Sequence, residues 1–178
     1  MTVARFVLRL CVGGFFVGHG TQKLFGWFGG PGLEATGEGF EQLGLRPGRV
    51  NAAAAGVCEA GGGVLILTGL ATPLATAALT GTMLTAIDRV HSSKGPWSSN
   101  GGYEYNVVLI AALLTLVEAG PGSLSLGEAL GIERSGKRWA LAAFAGGMAG
   151  AVGVRLLTTA ERAQAPQRSE PEYQQAAA

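Results

Sequence analysis

A histidine, a glutamine and a lysine lie close together near the end of the first apolar segment, in the stretch GHGTQKLFGW at residues 18–27. Ionisable side chains are costly within a lipid bilayer and need a polar partner, water or a ligand there. His19 can exchange a proton near neutral pH, and Gln22 and Lys23 can donate hydrogen bonds. Together these side chains have the chemistry to bind a small polar ligand or to move protons.

The ionisable side chains of this segment share one face if the segment is a helix. At about 100° per residue, Arg9, His19 and Lys23 all fall within about 40° of Arg5, and Gln22 lies beside this stripe. Such a stripe should face protein rather than lipid. The segment is therefore predicted to be a membrane helix with its polar face turned into a helix bundle.

Acids in the later apolar segments are candidate partners for Lys23. Glu59 lies in the glycine-rich stretch GVCEAGGG, Asp88 lies near the end of the third segment, and Glu104 opens the fourth. Antiparallel packing of successive helices places them, with His91, on the same membrane side as Lys23. Lys23 and Glu59 are predicted to pair, either as part of a ligand or proton pocket or only to fix the helix register. The predicted pocket comprises His19, Gln22, Lys23, Glu59, Asp88 and Glu104.

The composition is typical of a membrane protein. Hydrophobic residues make up 48% of the 178 residues and charged residues 14%, against about 25% charged in soluble domains. The uncharged run at 60–87 is too long for one span of roughly 20 residues and is divided by the turn signal TGLATP. Apolar helices are predicted at about 3–28, 50–70, 73–90, 103–119 and 139–157.

The predicted fold is an all-α membrane protein, a four-helix transmembrane bundle with a fifth C-terminal transmembrane helix. Residues 1–130 form the bundle, 131–157 the connection and fifth helix, and 158–178 a disordered polar tail. The first segment is interpreted as a helix and not as a signal peptide, because no small-residue cleavage site follows it. Residues 29–49 form either an amphipathic segment at the membrane surface or a solvated loop.

Glycines within the apolar segments are expected to allow close helix packing. Small residues four positions apart let helix backbones approach each other in a membrane. The glycines predicted to serve this role are Gly18, Gly20, Gly56, Gly63, Gly146 and Gly150.

The orientation in the membrane is only weakly indicated by charge. Arg134, Lys137 and Arg138 favour a cytoplasmic location for the connection before the fifth helix, and hence for the N-terminus. Other basic residues fall on the opposite side, so the positive-inside rule does not decide the orientation alone. These are Lys23, Arg46, Arg49, Arg89 and Lys94.

Several function classes are excluded by what the sequence contains. A net charge of +1 gives no basic surface for nucleic acid. There is no Rossmann, P-loop or nucleophile-elbow motif, and two histidines, one in a loop, predict no metal site. Cys11 and Cys58 are interpreted as buried small thiols, or as a pair if their two segments pack together.

Four segments occur in a characteristic order along the chain: RFVLRLCVGGFFVGHGTQKLFG, CEAGGGVLILTGLATPLAT, GGYEYNVVL and GPGSLSL. With these segments the sequence resembles the DoxX family of small bacterial membrane proteins, which is related to the DoxD subunit of thiosulfate:quinone oxidoreductase. The resemblance covers about residues 5–130. It departs from the family where an aspartate commonly follows SL, because here Gly127 follows Leu126 and Glu128 comes one place later.

The resemblance implies a four-helix membrane bundle linked to quinone-coupled redox complexes or oxidative-stress assemblies. We therefore expect a multi-pass protein of the bacterial plasma membrane that acts as a membrane subunit or accessory protein of a redox assembly. No cofactor is firmly implied; a quinone is the candidate ligand, and a membrane or peripheral oxidoreductase is the candidate partner. The sequence shows no haem or flavin motif, so the chain is not expected to be a complete enzyme. The alternatives are a small-solute transporter or permeability factor, and a structural scaffold.

Overall fold

The computed structural model describes the backbone of residues 2–164 and the side chains of residues 3–159. The protein is 81% helical and has no strand in this part of the chain. Most of the predicted disordered tail lies outside the described residues, and the last helix continues past residue 158, where that tail was expected to start. The α-helices are α1 Thr2–Phe25, α2 Gly32–Gln42, α3 Gly48–Thr68, α4 Thr72–Ala86, α5 Glu104–Ala119, α6 Leu126–Ala129 and α7 Lys137–Gln164.

Glycine and proline end the helices where the sequence predicts breaks. The TGLATP stretch is a tight turn in which Gly69 has φ 67° and Ala71 has φ 47°, and α4 begins directly after it. Gly120 has φ 79° and ends α5 at the GPG segment. These left-handed conformations suit glycine and cannot continue an α-helix.

The third apolar segment differs from a regular helix near its end. α4 stops at Ala86 and is followed by a π-helical segment, Ile87–His91. Single π turns within helices change which side chains share a face. Asp88 lies in this segment, so its direction does not follow from regular helical spacing.

The long helices form an antiparallel bundle in the order α1, α3, α4, α5, which closes by contacts between α5 and α1. Thr76 of α4 faces Leu113 of α5, and α7 packs along α4 and against α5. α7 is therefore part of the bundle and not a detached extension. The buried core includes Val12, Phe16, Ile66, Leu79, Leu113 and Leu116.

Glycines bring the α1 and α3 backbones into direct contact. A Cβ at Gly20 would lie 2.6 Å from Gly56 O, and one at Gly63 would lie 2.7 Å from Gly13 O. Added side chains cannot fit at such distances, so the glycines are required where the helices cross. Of the predicted packing glycines, Gly20, Gly56 and Gly63 lie in this contact.

The other predicted packing glycines have different surroundings. A Cβ at Gly146 would be 3.4 Å from Ala77 Cβ, an ordinary contact, whereas Gly147 approaches Thr80 more closely, at 2.7 Å from its Cβ. Gly18 and Gly150 have no neighbouring atom within 4 Å of a Cβ position. The prediction of close contacts at Gly18 and Gly150 is corrected by this finding, since both glycines face open space.

Three helices are long and apolar enough to cross a membrane: Val3–Phe25, Gly48–Thr68 and Lys137–Thr159. α4 and α5 have 15 and 16 residues, which is short for a span of about 20 residues. The all-helical architecture is as predicted. Helix length and composition support three membrane spans, whereas the sequence predicted four and a fifth.

The segment between α1 and α3 is a short helix, α2, which packs against both neighbours. Thr36 and Gly37 on its inner face are buried. An exposed ion pair joins Glu34 to Arg49 at 2.9 Å, and Glu41 accepts the backbone N–H of Gly48. Residues 29–49 therefore contain a helix docked on the bundle and not a solvated loop.

Gly20→Ala is expected to destabilise the protein by about 1–3 kcal/mol, because the added methyl group meets the α3 backbone. Gly18→Ala is the matched control. It enters open space and should be neutral or stabilising by up to about 1 kcal/mol, as for other glycine-to-alanine changes in helices. Reversible unfolding in mixed micelles measures both free energies. Equal stability of the two variants would contradict the close contact between α1 and α3.

Candidate functional site

A cavity of about 300 Å³ lies between the C-terminal end of α1 and the inner face of α2. We call it the Lys23 pocket. His19, Gln22 and Lys23 supply its polar wall, and Phe40 of α2 and Leu43, directly after α2, supply much of its apolar wall. Pro31, Thr36 and Gly39 complete the lining.

Lys23 forms an ion pair with Glu59 across the contact between α1 and α3. Lys23 Nζ lies 2.5 Å from Glu59 Oε2, and the side chains are 24% and 5% exposed. Side chains on a helix lean toward its N-terminus, so in an antiparallel pair Lys23 and Glu59 lean toward each other. The predicted pairing of these two residues is thus present in the structure, with Glu59 almost fully buried.

His19 and Gln22 lie one turn apart on α1 at the opening of the Lys23 pocket. His19 Nδ1 is 3.2 Å from Gln22 Oε1, and His19 is exposed. Because an amide oxygen only accepts, Nδ1 is the donor in this bond, which makes Nε2 of the neutral ring an acceptor. His19 can therefore take a hydrogen bond from a hydroxyl group in the pocket.

Asp88 lies away from the Lys23 pocket, although the sequence predicted it there. Its Oδ1 atom is 3.0 Å from Arg155 Nη1 of α7, and its Oδ2 atom is 3.2 Å from Arg89 Nε. Arg89 also donates to Thr158 Oγ1 at 2.6 Å. This cluster fastens the π-helical segment to α7. The sequence interpretation missed it because Asp88 was assigned to the pocket and Arg155 was not considered as its partner.

Glu104 is likewise placed elsewhere, at the first turn of α5. Its Oε1 atom accepts a hydrogen bond from the backbone N–H of Ser98 at 2.8 Å. His91 contacts Gly101 O through Nδ1 at 2.7 Å, so both side chains order the loop before α5.

The α2 side of the Lys23 pocket was missed by the sequence interpretation. Phe40 and Leu43 were placed in a segment predicted either to lie at the membrane surface or to form a solvated loop, but they line the pocket instead. Their spacing of three residues is a signal for a packed helical face as much as for a lipid-facing one.

Neither a metal centre nor a disulfide is formed within the described part of the chain. No group of three or more potential metal ligands occurs there. Cys11 and Cys58 are both free thiols, and Cys11 is exposed, contrary to its expected burial, whereas Cys58 is partly buried. The packing of α1 on α3 therefore does not join the two cysteines.

Comparison with known proteins identifies the family. The sequence profile of the DoxX family matches residues 4–92, which contain the Lys23–Glu59 pair and the helices that carry it. The chain belongs to the DoxX family. No curated protein and no solved structure gave a significant match.

The DoxX match covers α1 to α4 and the π-helical segment, whereas α5, α6 and α7 follow it. The GGYEYNVVL and GPGSLSL segments, which carried part of the resemblance, therefore lie outside the matched residues. Membership of the DoxX family, together with three helices apolar enough to span a bilayer, indicates a membrane protein.

Lys23→Met is expected to destabilise the protein by about 3 kcal/mol, because it leaves the Glu59 carboxylate buried without its partner. The double variant Lys23→Met/Glu59→Met should recover most of this loss, since no buried charge remains. A double-mutant cycle on unfolding free energies measures the coupling. Arg49→Gln, which breaks an exposed ion pair, is the control and should cost less than about 1 kcal/mol. Additive losses in the cycle would contradict the pairing.

Glu104→Gln is expected to loosen the loop before α5, because a neutral amide oxygen accepts a weaker hydrogen bond from the Ser98 N–H than a carboxylate does. The protection of the Ser98 amide against hydrogen exchange, corrected for its intrinsic rate, should fall in this variant. Glu118→Gln, at the other end of α5, should leave it unchanged; protection equal in both variants would contradict the role of Glu104.

Proposed function

We propose that this DoxX-family chain is a multi-pass protein of the bacterial plasma membrane. In this proposal it acts as a membrane subunit or accessory protein of a redox assembly and binds a quinone headgroup in the Lys23 pocket. The observation that carries the proposal is the Lys23–Glu59 ion pair, whose lysine lines a cavity together with His19 and Gln22. Glu59 was predicted to belong to the pocket, but it is almost fully buried and does not line the cavity itself. Ionisable groups in membrane helices commonly mark ligand or proton sites.

A bundle of four spanning helices, α1, α3, α4 and α5, with α7 as a fifth, is part of this proposal. α4 and the π-helical segment together cover residues 72–91, which matches a span of about 20 residues. α5 is shorter, and a bilayer accommodates a short span by local thinning. Apolar side chains on the outer surface of α5, including Val107 and Val108, are exposed as expected for contact with lipid.

The Lys23 pocket suits a ligand with a polar ring and an apolar tail. Its volume of about 300 Å³ is at the lower end of the range for small-ligand sites, about 300–1,000 Å³. The Lys23 ammonium can donate to a quinone oxygen, and His19 Nε2 can accept from a quinol hydroxyl. Phe40 and Leu43 face the ring, and the open side of the cavity leaves room for the tail.

The role of this chain in the redox reaction is to bind and protonate, while a partner oxidoreductase supplies the electrons. Reduction of a quinone to a quinol takes two electrons and two protons. The Lys23 ammonium can pass one proton to a ligand oxygen, and His19 in its imidazolium form, protonated at Nε2 as well, can pass the second. Glu59 compensates the charge of Lys23 when no ligand is bound. Lys23 and His19 both come from α1, so one helix positions the donor and the acceptor.

His19→Ala is expected to weaken the binding of a short-chain benzoquinone by about fivefold, the effect of one lost hydrogen bond. The protein stability should remain unchanged because His19 is exposed. Calorimetric titration of the protein in nanodiscs gives the affinity. Glu38→Gln, on the exposed side of α2, is the matched control and should bind like the unchanged protein.

Lys23→Ala and Glu59→Gln variants that insert normally should lose quinone binding as well. Retention of full affinity by both of these variants and by His19→Ala would refute the proposed site. Native mass spectrometry of the unchanged protein separates the other functions. A stable protein partner without bound quinone would favour the scaffold, and solute uptake by reconstituted vesicles would favour the transporter.

A further inference from the structure

Arg9 is a buried cation near the opposite end of α1 from the Lys23 pocket. Its side chain is 1% exposed and lies within the first candidate span. It donates to Pro121 O at 2.9 Å and to Leu124 O at 2.7 Å, so backbone carbonyls satisfy two of its donors. Among the side chains that the structure describes, no carboxylate forms an ion pair with Arg9.

The guanidinium of Arg9 has a hydrogen-bond donor that is not satisfied. Its Nε atom is buried and has no hydrogen-bond partner in the described structure. A buried, unpaired donor on a charged group is costly, and neutral carbonyls do not compensate the positive charge. The described residues therefore supply Arg9 with no anion, which leaves this charge to be compensated by a bound ligand.

Arg9 lines a cavity of about 400 Å³ between α1, the end of α3 and the segment after α5. We call it the Arg9 cavity. Ser123 and Ser125 also line it. Ser125 Oγ accepts the backbone N–H of Glu128 at 3.3 Å, so its own hydroxyl hydrogen can donate to a ligand. The polar lining thus combines a cation with hydroxyl donors and includes no carboxylate, which suits a phosphate-type oxyanion.

The remaining lining of the Arg9 cavity is apolar and partly open to the surroundings. Phe6 lies against the Arg9 guanidinium, 5.7 Å from ring centroid to Cζ. Leu124 and Leu126 line the same cavity and are 62% and 50% exposed. A free phosphate gains nothing from these leucines, whereas an acyl chain would cover them.

Further basic residues lie at this end of the bundle. α7 runs in the same direction as α1, and its first turn contains Lys137 and Arg138, with Arg134 just before it. Basic residues near a membrane surface attract anionic lipids, and basic pockets between membrane helices bind their headgroups. We propose that the Arg9 cavity binds the phosphate headgroup of an anionic phospholipid, with an acyl chain lying along Leu124 and Leu126. The site is independent of the Lys23 pocket.

Native mass spectrometry of the full chain, released from nanodiscs with equal phosphatidylglycerol and phosphatidylcholine, tests this proposal. The unchanged protein should retain phosphatidylglycerol preferentially. Ser123→Asp places a negative charge in the cavity and leaves the Arg9 side chain itself unchanged. It should lower the preference for phosphatidylglycerol by about fivefold. Ser135→Asp, on an exposed residue outside the cavity, should not lower it.

Arg9→Gln removes the cation itself and should also abolish the preference. Its control is Arg134→Gln, an exposed arginine at the same end of the protein. Helicity measured by circular dichroism verifies that each variant is folded. If Arg9→Gln does not fold, the comparison of Ser123→Asp with Ser135→Asp tests the proposal. An equal preference in Ser123→Asp and Ser135→Asp would overturn the proposal, because binding would then reflect diffuse charge.

A competition experiment separates a lipid from a free oxyanion. Inorganic phosphate and glycerol phosphate, at millimolar concentration, should not displace the retained phosphatidylglycerol from the unchanged protein. Displacement by either of them, with no preference between the two lipids, would show that the cavity takes a soluble oxyanion and would overturn the assignment to a lipid.

Discussion

Where α1 crosses α3, glycines on both helices bring the two backbones so close that no side chain fits between them. Because the helices are antiparallel and side chains lean toward helix N-termini, Lys23 and Glu59 meet beside this crossing. A wider crossing would separate the two charges and leave Glu59 buried alone. The same contact sets where the end of α1 stands relative to α2, and so fixes the width of the Lys23 pocket. Packing and site chemistry thus depend on one van der Waals contact between two backbones.

The sequence was sufficient to predict the Lys23–Glu59 pair, because helical periodicity and antiparallel order bring these residues to one level of the bundle. Asp88 was not predictable in this way. Its direction depends on a π-helical segment, and its partner Arg155 lies on α7, far along the chain. The contribution of Phe40 to the wall of the Lys23 pocket could not be predicted either, since an amphipathic helix as short as α2 can pack on lipid or on protein. The number of membrane spans could not be predicted from composition either. α4 and α5 are apolar, but they are short, and their side chains are buried by contacts with neighbouring helices.

The two ends of α1 hold their cations by different means. Lys23 faces a carboxylate, whereas Arg9 faces the carbonyls of Pro121 and Leu124. Those carbonyls are available because the glycines around Pro121 end the helix and leave its C-terminal side without intrahelical donors. α1 is thereby tied to α3 at one end by charge and to the segment after α5 at the other by hydrogen bonds. Glu59 compensates the positive charge of Lys23, whereas the carbonyls accept hydrogen bonds from Arg9 but leave its charge uncompensated. The Arg9 end of α1 can therefore still bind an anion.

α7 covers one side of the bundle, where Gly147 lies against Thr80 of α4 and Asp88 is joined to Arg155. The chain thus covers this lateral surface of α4 with its own helix. Elsewhere in the described part of the chain the outer surface is uncovered, with open space beside Gly14, Gly18 and Gly61 on α1 and α3 and with exposed apolar side chains on α5. In the assembly proposed above, α7 would therefore restrict the directions from which another membrane protein can approach the bundle.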